Sequence, residues 1–454
     1  MKQFREKIKN NPLPVIFVTL FLNAIGFGIL IPIIPLVLAD PRSSFYLLPP
    51  DMNVSDGYVI MGFLTGVYPL AMFLATPILG ELSDKYGRKK ILAISLFGTF
   101  LSYVLFGFAL IIKNLPLLFI SRIIDGITGG NISVAQAAIA DVTKPEHRAK
   151  NFGLIGASFG LGFVLGPYIG GKLSDPSVLP FFDAATPFWF AAILAGLDVL
   201  FILFIFHETL QSRVEHITLH WGKAIKNVIK AYSLKDLRVL FLTNFLFFGG
   251  FTFFTTFFSV FLIRRFGFAQ GNIGDFFSYV GLWVAFTQAV LTRRLAKKFR
   301  EQQIVRVTLF GSAFALLLFL FTNAWWQLLI ITPIFAMCNG LTMANLTSLV
   351  SRSAEPKVQG EVLGINASIQ ALAQGIPPIL SGYIAASIAV EAPVLVSSIT
   401  VAAAGLVFLF LLKLRQPVQG ATAPAVQPIE QSSTQNTLEN IPQPELDGPK
   451  PIFP

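Results

Sequence analysis

Long apolar runs alternate with short polar intervals along almost the whole chain. Windows of about 20 residues, enough to cross a ~30 Å hydrocarbon core as helix, recur at 13–38, 58–80, 90–112, 115–139, 152–172 and 187–206. After a polar interval they resume at 238–263, 272–292, 304–322, 327–350, 361–386 and 393–413. The pattern predicts an all-α membrane protein with twelve transmembrane helices in two sets of six. The first window carries Pro14, Pro32 and Pro35, and no small-residue cleavage site follows it, so it reads as a span rather than a cleaved leader. Composition agrees. With 54% hydrophobic residues, 46 phenylalanines and a mean hydropathy of +0.68, the chain has more apolar surface than a water-soluble domain hides.

Charge adds orientation. The net charge of +10 is concentrated on alternate loops. Lys2, Arg5, Lys7 and Lys9 precede the first window; Lys85, Arg88, Lys89 and Lys90 follow the second; Lys144, Arg148 and Lys150 follow the fourth. Arg213, Lys223, Lys226, Lys230 and Lys235 fill the central interval, and Arg293, Arg294, Lys297, Lys298 and Arg300 follow the eighth window. Basic residues mark cytoplasmic loops, so both termini and the stretch Gly80–Lys90 are expected inside. The basic balance thus reports topology in a lipid bilayer and gives no reason to expect a nucleic-acid partner.

The lone Cys338 lies in the tenth window and reads as a small packing residue. His216 and His220 have an i, i+4 spacing but no acidic or thiol co-ligand. They open a stretch in which Trp221, Ile225, Val228 and Tyr232 share one helical face, which predicts an interfacial amphipathic helix. The expected organisation is a six-helix lobe over 1–206, a linker with that helix over 207–235, a second lobe over 236–415, and a tail over 416–454 too poor in apolar residues to fold.

The halves repeat. Pro145 pairs with Pro356, Gly153 with Gly364, Pro167 with Pro378 and Gly171 with Gly382, all at one offset of 211 residues, which Gly129 and Gly340 share. An even number of spans per half, each half starting inside, means parallel repeats about an axis along the membrane normal. That architecture belongs to transporters with a site between the halves.

Four local patterns sharpen the reading. "GELSDKYGRKK" from Gly80 sets Asp84 and Arg88 around Gly87; "RIIDGITGG" begins at Arg122; "GFVLGPYIGG" begins at Gly162; and "IGFGILIPIIP" begins at Ile25. In this order and topology the chain resembles the major facilitator superfamily, in particular the drug:proton antiporters of the tetracycline-exporter-like group. The resemblance implies a monomeric secondary transporter that moves a small-molecule substrate against protons across the cytoplasmic membrane by alternating access. It assigns Gly80, Asp84, Gly87, Arg88 and Asp141 to an inner latch. There Asp84 would cap the helix that starts near Gly360, and Arg88 would bridge to Asp141. The alternative is a solvated positive loop. Gly162, Gly166, Pro167, Gly170 and Gly171 form the antiporter signature and are expected to seal against a second-half helix. Generic membrane packing is the competing account of those glycines.

Ionisable groups inside the spans are few and therefore informative. Arg122 and Asp125 are i, i+3 and close enough to pair. Asp125 is the expected proton carrier, unless the pair is a permanent structural one. Asp198, near the middle of the sixth window, reads as a hydrogen-bonded structural acid. Gln136 follows on the Arg122 face, and Asn339, Thr342 and Asn345 form a polar stripe, as do Asn366, Gln370 and Gln374. These stripes either line a wet cavity or bond helices together. Tetracycline exporters of the family carry an acid in the first helix, where this chain has Asn23. An amide there leaves a facilitator or symporter importing a polar metabolite as the alternative function. The sequence contains no metal-ligand cluster, nucleophile–base motif or phosphate-binding loop, so neither an enzyme nor a cofactor is expected.

Overall fold

Helices occupy all of these windows in the computed structural model, which describes residues 12–143, 148–214, 222–234, 237–354 and 359–412. The first half comprises α1 (Leu13–Leu38), α2 (Val54–Tyr86), α3 (Arg88–Ile111), α4 (Leu115–Gly129), α5 (Asn131–Asp141), α6 (Arg148–Leu173) and α7 (Thr186–Phe204). A short α8 (Lys223–Ser233) leads to α9 (Arg238–Phe266), α10 (Gln270–Phe286), α11 (Thr292–Ala296), α12 (Glu301–Phe319), α13 (Trp325–Arg352), α14 (Gln359–Ser387) and α15 (Ala392–Leu411). Among the described residues no strand occurs. Nine of the described segments, with α4 and α5 counted as one, are long and apolar enough to cross a bilayer. Their outer faces are apolar too: Ile193, Phe204, Val307, Phe314 and Phe410 are all exposed. Lipid tolerates such a surface where water would not, and the chain is a multi-pass membrane protein.

The phenylalanines do much of the interior packing. Phe254 stands 4.4 Å from Phe258, 4.7 Å from Phe335 and 5.8 Å from Phe319, ring centre to ring centre, and all four are buried. Offset and tilted ring pairs of this kind add to the area they bury.

Three local features depart from the periodic pattern. The fourth window, expected as one span, breaks at Gly130 between α4 and α5. A Cβ at Gly130 would stand 3.0 Å from Leu79 and Thr76, so α2 approaches here more tightly than a side chain usually meets. Ser133 then donates its hydroxyl to the carbonyls of Thr76 and Gly130. Its repeat partner window stays unbroken through Gly340 in α13. The eighth window is interrupted by one π-helical turn at Thr287–Leu291, where the Thr287 and Thr292 hydroxyls donate to the carbonyls of Trp283 and Thr287. Finally, α2 runs on through Gly80 to Tyr86, and only Gly87, with φ 99°, leaves the helix. That positive φ suits glycine and lets α3 start at Arg88.

Toward the end of the bundle opposite Gly87 the halves approach backbone to backbone. Gly62 and Gly66 on α2 lie against the carbonyls of Pro378 and Gly375 on α14, and Gly382 returns the contact to Tyr58 and Val59. Gly171 on α6 meets Gly274 on α10. Small residues let the backbones touch.

Near the Gly87 end, α8 is the bridge. Ala224 is buried with Phe73 of α2 and Ala371 of α14, and Val228 packs beside Met72 and Leu372. Lys223 pairs with Glu81, and Asn227 donates to Ser368 at 3.4 Å. The helix is thus held by protein through Ala224 and Val228, while Ile225, on the apolar face expected from sequence, and Ile229 remain exposed. Trp221, His216 and His220 lie outside the described residues, as does the tail from residue 413.

Candidate functional site

The motif around Gly87 folds into a polar knot within the first half. Arg88 is buried, yet its guanidinium sits between two carboxylates, 2.6 Å from Asp84 and 3.0 Å from Asp141. Ser83 accepts a further bond from it. A buried guanidinium requires such partners, because an unpaired charge out of water is expensive. Asp84 and Arg88 meet across the Gly87 turn at i, i+4, whereas Asp141 is delivered by the end of α5. The expected docking of Asp84 near Gly360 falls beside residues 355–358, which lie outside the described residues.

One member of this knot escaped sequence reasoning. Glu208, just after α7, accepts the backbone N–H of Arg88 at 2.9 Å and of Lys89 at 3.2 Å. A carboxylate at a helix start satisfies orphan donors and suits the helix dipole. It also fixes the glycine, because a Cβ at Gly87 would collide with Glu208. Thr209 adds a hydroxyl bond to Asp141 at 3.2 Å. An acid directly after the sixth apolar run, in "HETL", was the available signal. Its partner, though, lies about 120 residues earlier, which periodicity cannot reveal.

Arg122 and Asp125 do pair, at 2.6 Å, and both are buried. The guanidinium lies 4.4 Å over the Tyr68 ring of α2, a cation–π contact in a dry setting. Its Nε has no hydrogen-bond partner. Gly126 and Gly129 allow the approach, since a Cβ at either would strike Tyr68.

The α6 glycines divide between two partners. Gly162, Gly166 and Gly170 face α1 of their own half, against Ala24, Gly28 and Ile29. Gly171, about 100° further round the helix, faces α10 together with the carbonyl of Pro167. Within this motif the close approach to the second half is made by Gly171 and the Pro167 carbonyl. The i, i+4 row serves α1, because residues four apart share one face.

The polar stripes divide as well. Asn366 accepts from Asn244 at 3.0 Å, Thr342 donates to Thr308 at 2.7 Å, and the Asn345 amide turns back to the Leu341 carbonyl. Those three act as glue between or within helices. Asn339 is buried, while Gln136, Gln370 and Gln374 are only half-buried. Asn23 donates to Asn131 at 3.5 Å, and Asp198 accepts from Thr19 at 2.9 Å. No group of three or more candidate metal ligands occurs among the described residues.

Comparison with known proteins bears on this architecture. A family model described as Major Facilitator Superfamily matches residues 16–378 and 240–453. The tetracycline resistance protein, class H, of Pasteurella multocida is 30% identical over 379 residues, covering 83% of this chain and 89% of that protein. The quinolone resistance protein NorA of Staphylococcus aureus (strain N315) is 25% identical over 405 residues, 89% and 97% of the two chains. Among solved structures, the human organic anion transporter MFSD10 (TETRAN) superposes with a TM-score of 0.67 at 25% identity, covering 87% of this chain and 98% of that one.

Proposed function

We propose that this chain, which belongs to the Major Facilitator Superfamily, exports small amphipathic compounds across the cytoplasmic membrane in exchange for protons. It is a transporter of small molecules rather than an enzyme. The observation that carries the export reading is its 30% identity, over 83% of its length, to a tetracycline resistance protein. The basic loops support an orientation with both termini cytoplasmic, in which the Gly87 knot faces the cytoplasm. The protein works as a monomer, with the transport path between lobes 1–206 and 236–415.

In this orientation the glycine contacts of α2 with α14 and of α6 with α10 close the outer side. Alternating access requires those contacts to part while the inner ends approach. The Arg88–Asp141 knot then acts as a stiff block at the inner end of the first lobe, and Asp84, paired with Arg88 but the more exposed of the two carboxylates, is the one that engages the second lobe. Asp125 is the proton carrier of the reading. Its pairing with Arg122 favours the ionised form, and drying favours the neutral one, so a conformational change that wets or dries the pair can load and unload a proton.

An importer of a polar metabolite would need the second-half amides available to substrate. Of these, Asn366 and Asn345 are engaged with protein, as is the Thr342 hydroxyl beside them, which favours export of a more apolar solute. The test is purified protein in liposomes with an internal pH dye and tetracycline as probe. An imposed proton gradient is expected to accumulate tetracycline, and tetracycline added alone is expected to move protons the opposite way. Gradient-independent equilibration without proton movement would overturn the exchange reading.

A further inference from the structure

Asp198 sits midway along α7 and is 2% exposed. The Thr19 hydroxyl of α1 meets its Oδ1 at 2.9 Å, but Oδ2 is buried with no hydrogen-bond partner. Beside it lies a cavity of about 10 Å³, lined among others by Asn23, Thr99, Tyr103 and Asp198. That is the lower limit of space for one water, and the lining offers the polar partners a water requires.

The charge of this carboxyl is uncompensated. No Lys, Arg, His or second acid lines the cavity. The elements packed around Asp198 present Thr19 and Asn23 from α1, and Thr99 and Tyr103 from α3. The guanidinium of Arg122 is itself taken by Asp125 and the Tyr68 ring. A bare carboxylate in such a place is strongly disfavoured, since burial removes its water and no cation replaces it. A neutral acid keeps the Thr19 bond on Oδ1 and points an O–H from Oδ2 toward the cavity.

A second orphan lies across Asn23. Asn23 donates to Oδ1 of Asn131, whose own Nδ2 is buried without a partner. Asn131 is the first residue of α5, directly after the break at Gly130. Two unsatisfied polar atoms therefore flank Asn23, one on α7 and one at the only interruption of the fourth span. Buried polar groups left unpaired in this way call for an explanation, and the cavity beside Asp198 and Asn23 has room for one water.

We propose that Asp198 is a proton-binding site of this transporter. Its Oδ2 holds the proton in the sealed state and passes it to cavity water, past Asn23 and Asn131, when the first lobe is wetted. The inference rests on the proton-exchange reading for its role in transport, but not for its existence.

Infrared spectroscopy of the purified protein in lipid tests the site without a substrate. A carboxylic-acid C=O band is expected in the parent and in Asp125→Asn, and is expected to be lost in Asp198→Asn. Thr19→Val keeps the acid but removes the bond to Oδ1, so the band should move to higher frequency. That variant decides the matter should Asp198→Asn fail to fold. A band unchanged in folded Asp198→Asn, or unmoved in Thr19→Val, overturns the site. The liposome assay then tests its use: gradient-driven tetracycline accumulation is expected to be lost in Asp198→Asn while downhill exchange survives. Accumulation retained at the parent level overturns the exchange role. A parent protein that moves no protons but shows the Asp198 band would sink proton-coupled export and leave the buried proton site standing.

Discussion

The Arg88 knot makes a quantitative prediction. Its side chain is 7% exposed, Asp141 is 20% exposed and Asp84 is 42% exposed. Coulomb attraction grows as water is removed, so the two pairs should differ in strength although the Asp84 contact is shorter. Arg88→Gln removes the cation and leaves Asp141 poorly compensated, a loss of about 2–4 kcal/mol by analogy with other half-broken buried pairs. In double-mutant cycles, Arg88→Gln with Asp141→Asn should show a coupling of about 1–2 kcal/mol. Arg88→Gln with Asp84→Asn should show no more than about 0.5 kcal/mol, the range of partly exposed i, i+4 pairs. Arg88→Lys should recover only part of the loss, since an ammonium cannot present the guanidinium fork to both carboxylates. Unfolding in a detergent titration, followed by tryptophan fluorescence, supplies the free energies. A larger coupling to Asp84 than to Asp141 would refute the ranking by burial, and additivity in both cycles would refute the knot itself.

Asp125→Asn should abolish gradient-driven tetracycline accumulation in liposomes while leaving downhill exchange; unchanged uphill transport would remove Asp125 from the coupling. Joining α8 to α14 through cysteines at Asn227 and Ser368 with a short bifunctional reagent should stop transport, and reduction or cleavage of the link should restore it, because alternating access must change what lies between α2 and α14. Cysteines placed at Lys89 or Lys297 should react with an impermeant thiol reagent from the cytoplasmic side alone, and labelling from outside would reverse the topology. Truncation after Arg415 should leave transport in liposomes intact, and a loss in correctly inserted protein would show that the tail does more than its composition suggests.

The reach of sequence reasoning here followed the range of each signal. Apolar windows located the helices because a bilayer imposes one length on every span, and constant offsets located the repeat because Pro and Gly mark backbone positions. The Arg122–Asp125 pair was legible because i, i+3 residues on one helix meet whatever surrounds them. Tertiary contacts decided the rest. Periodicity along α4 and α5 does not register that α2 presses on Gly130, so the break was invisible until both were in place. The α6 glycines look alike in sequence, but a rotation of one residue sends Gly171 to α10 and its neighbours to α1. Glu208 and Arg88 are joined across about 120 residues by the close of the first half, and nothing local to either predicts the other. Asp198 shows the same division most clearly. Its presence in a span was readable as an anomaly, but only the packing of α1, α3 and α7 decided that one oxygen would be bonded and the other buried without a partner beside a cavity, because desolvation is a property of neighbours and not of the residue itself.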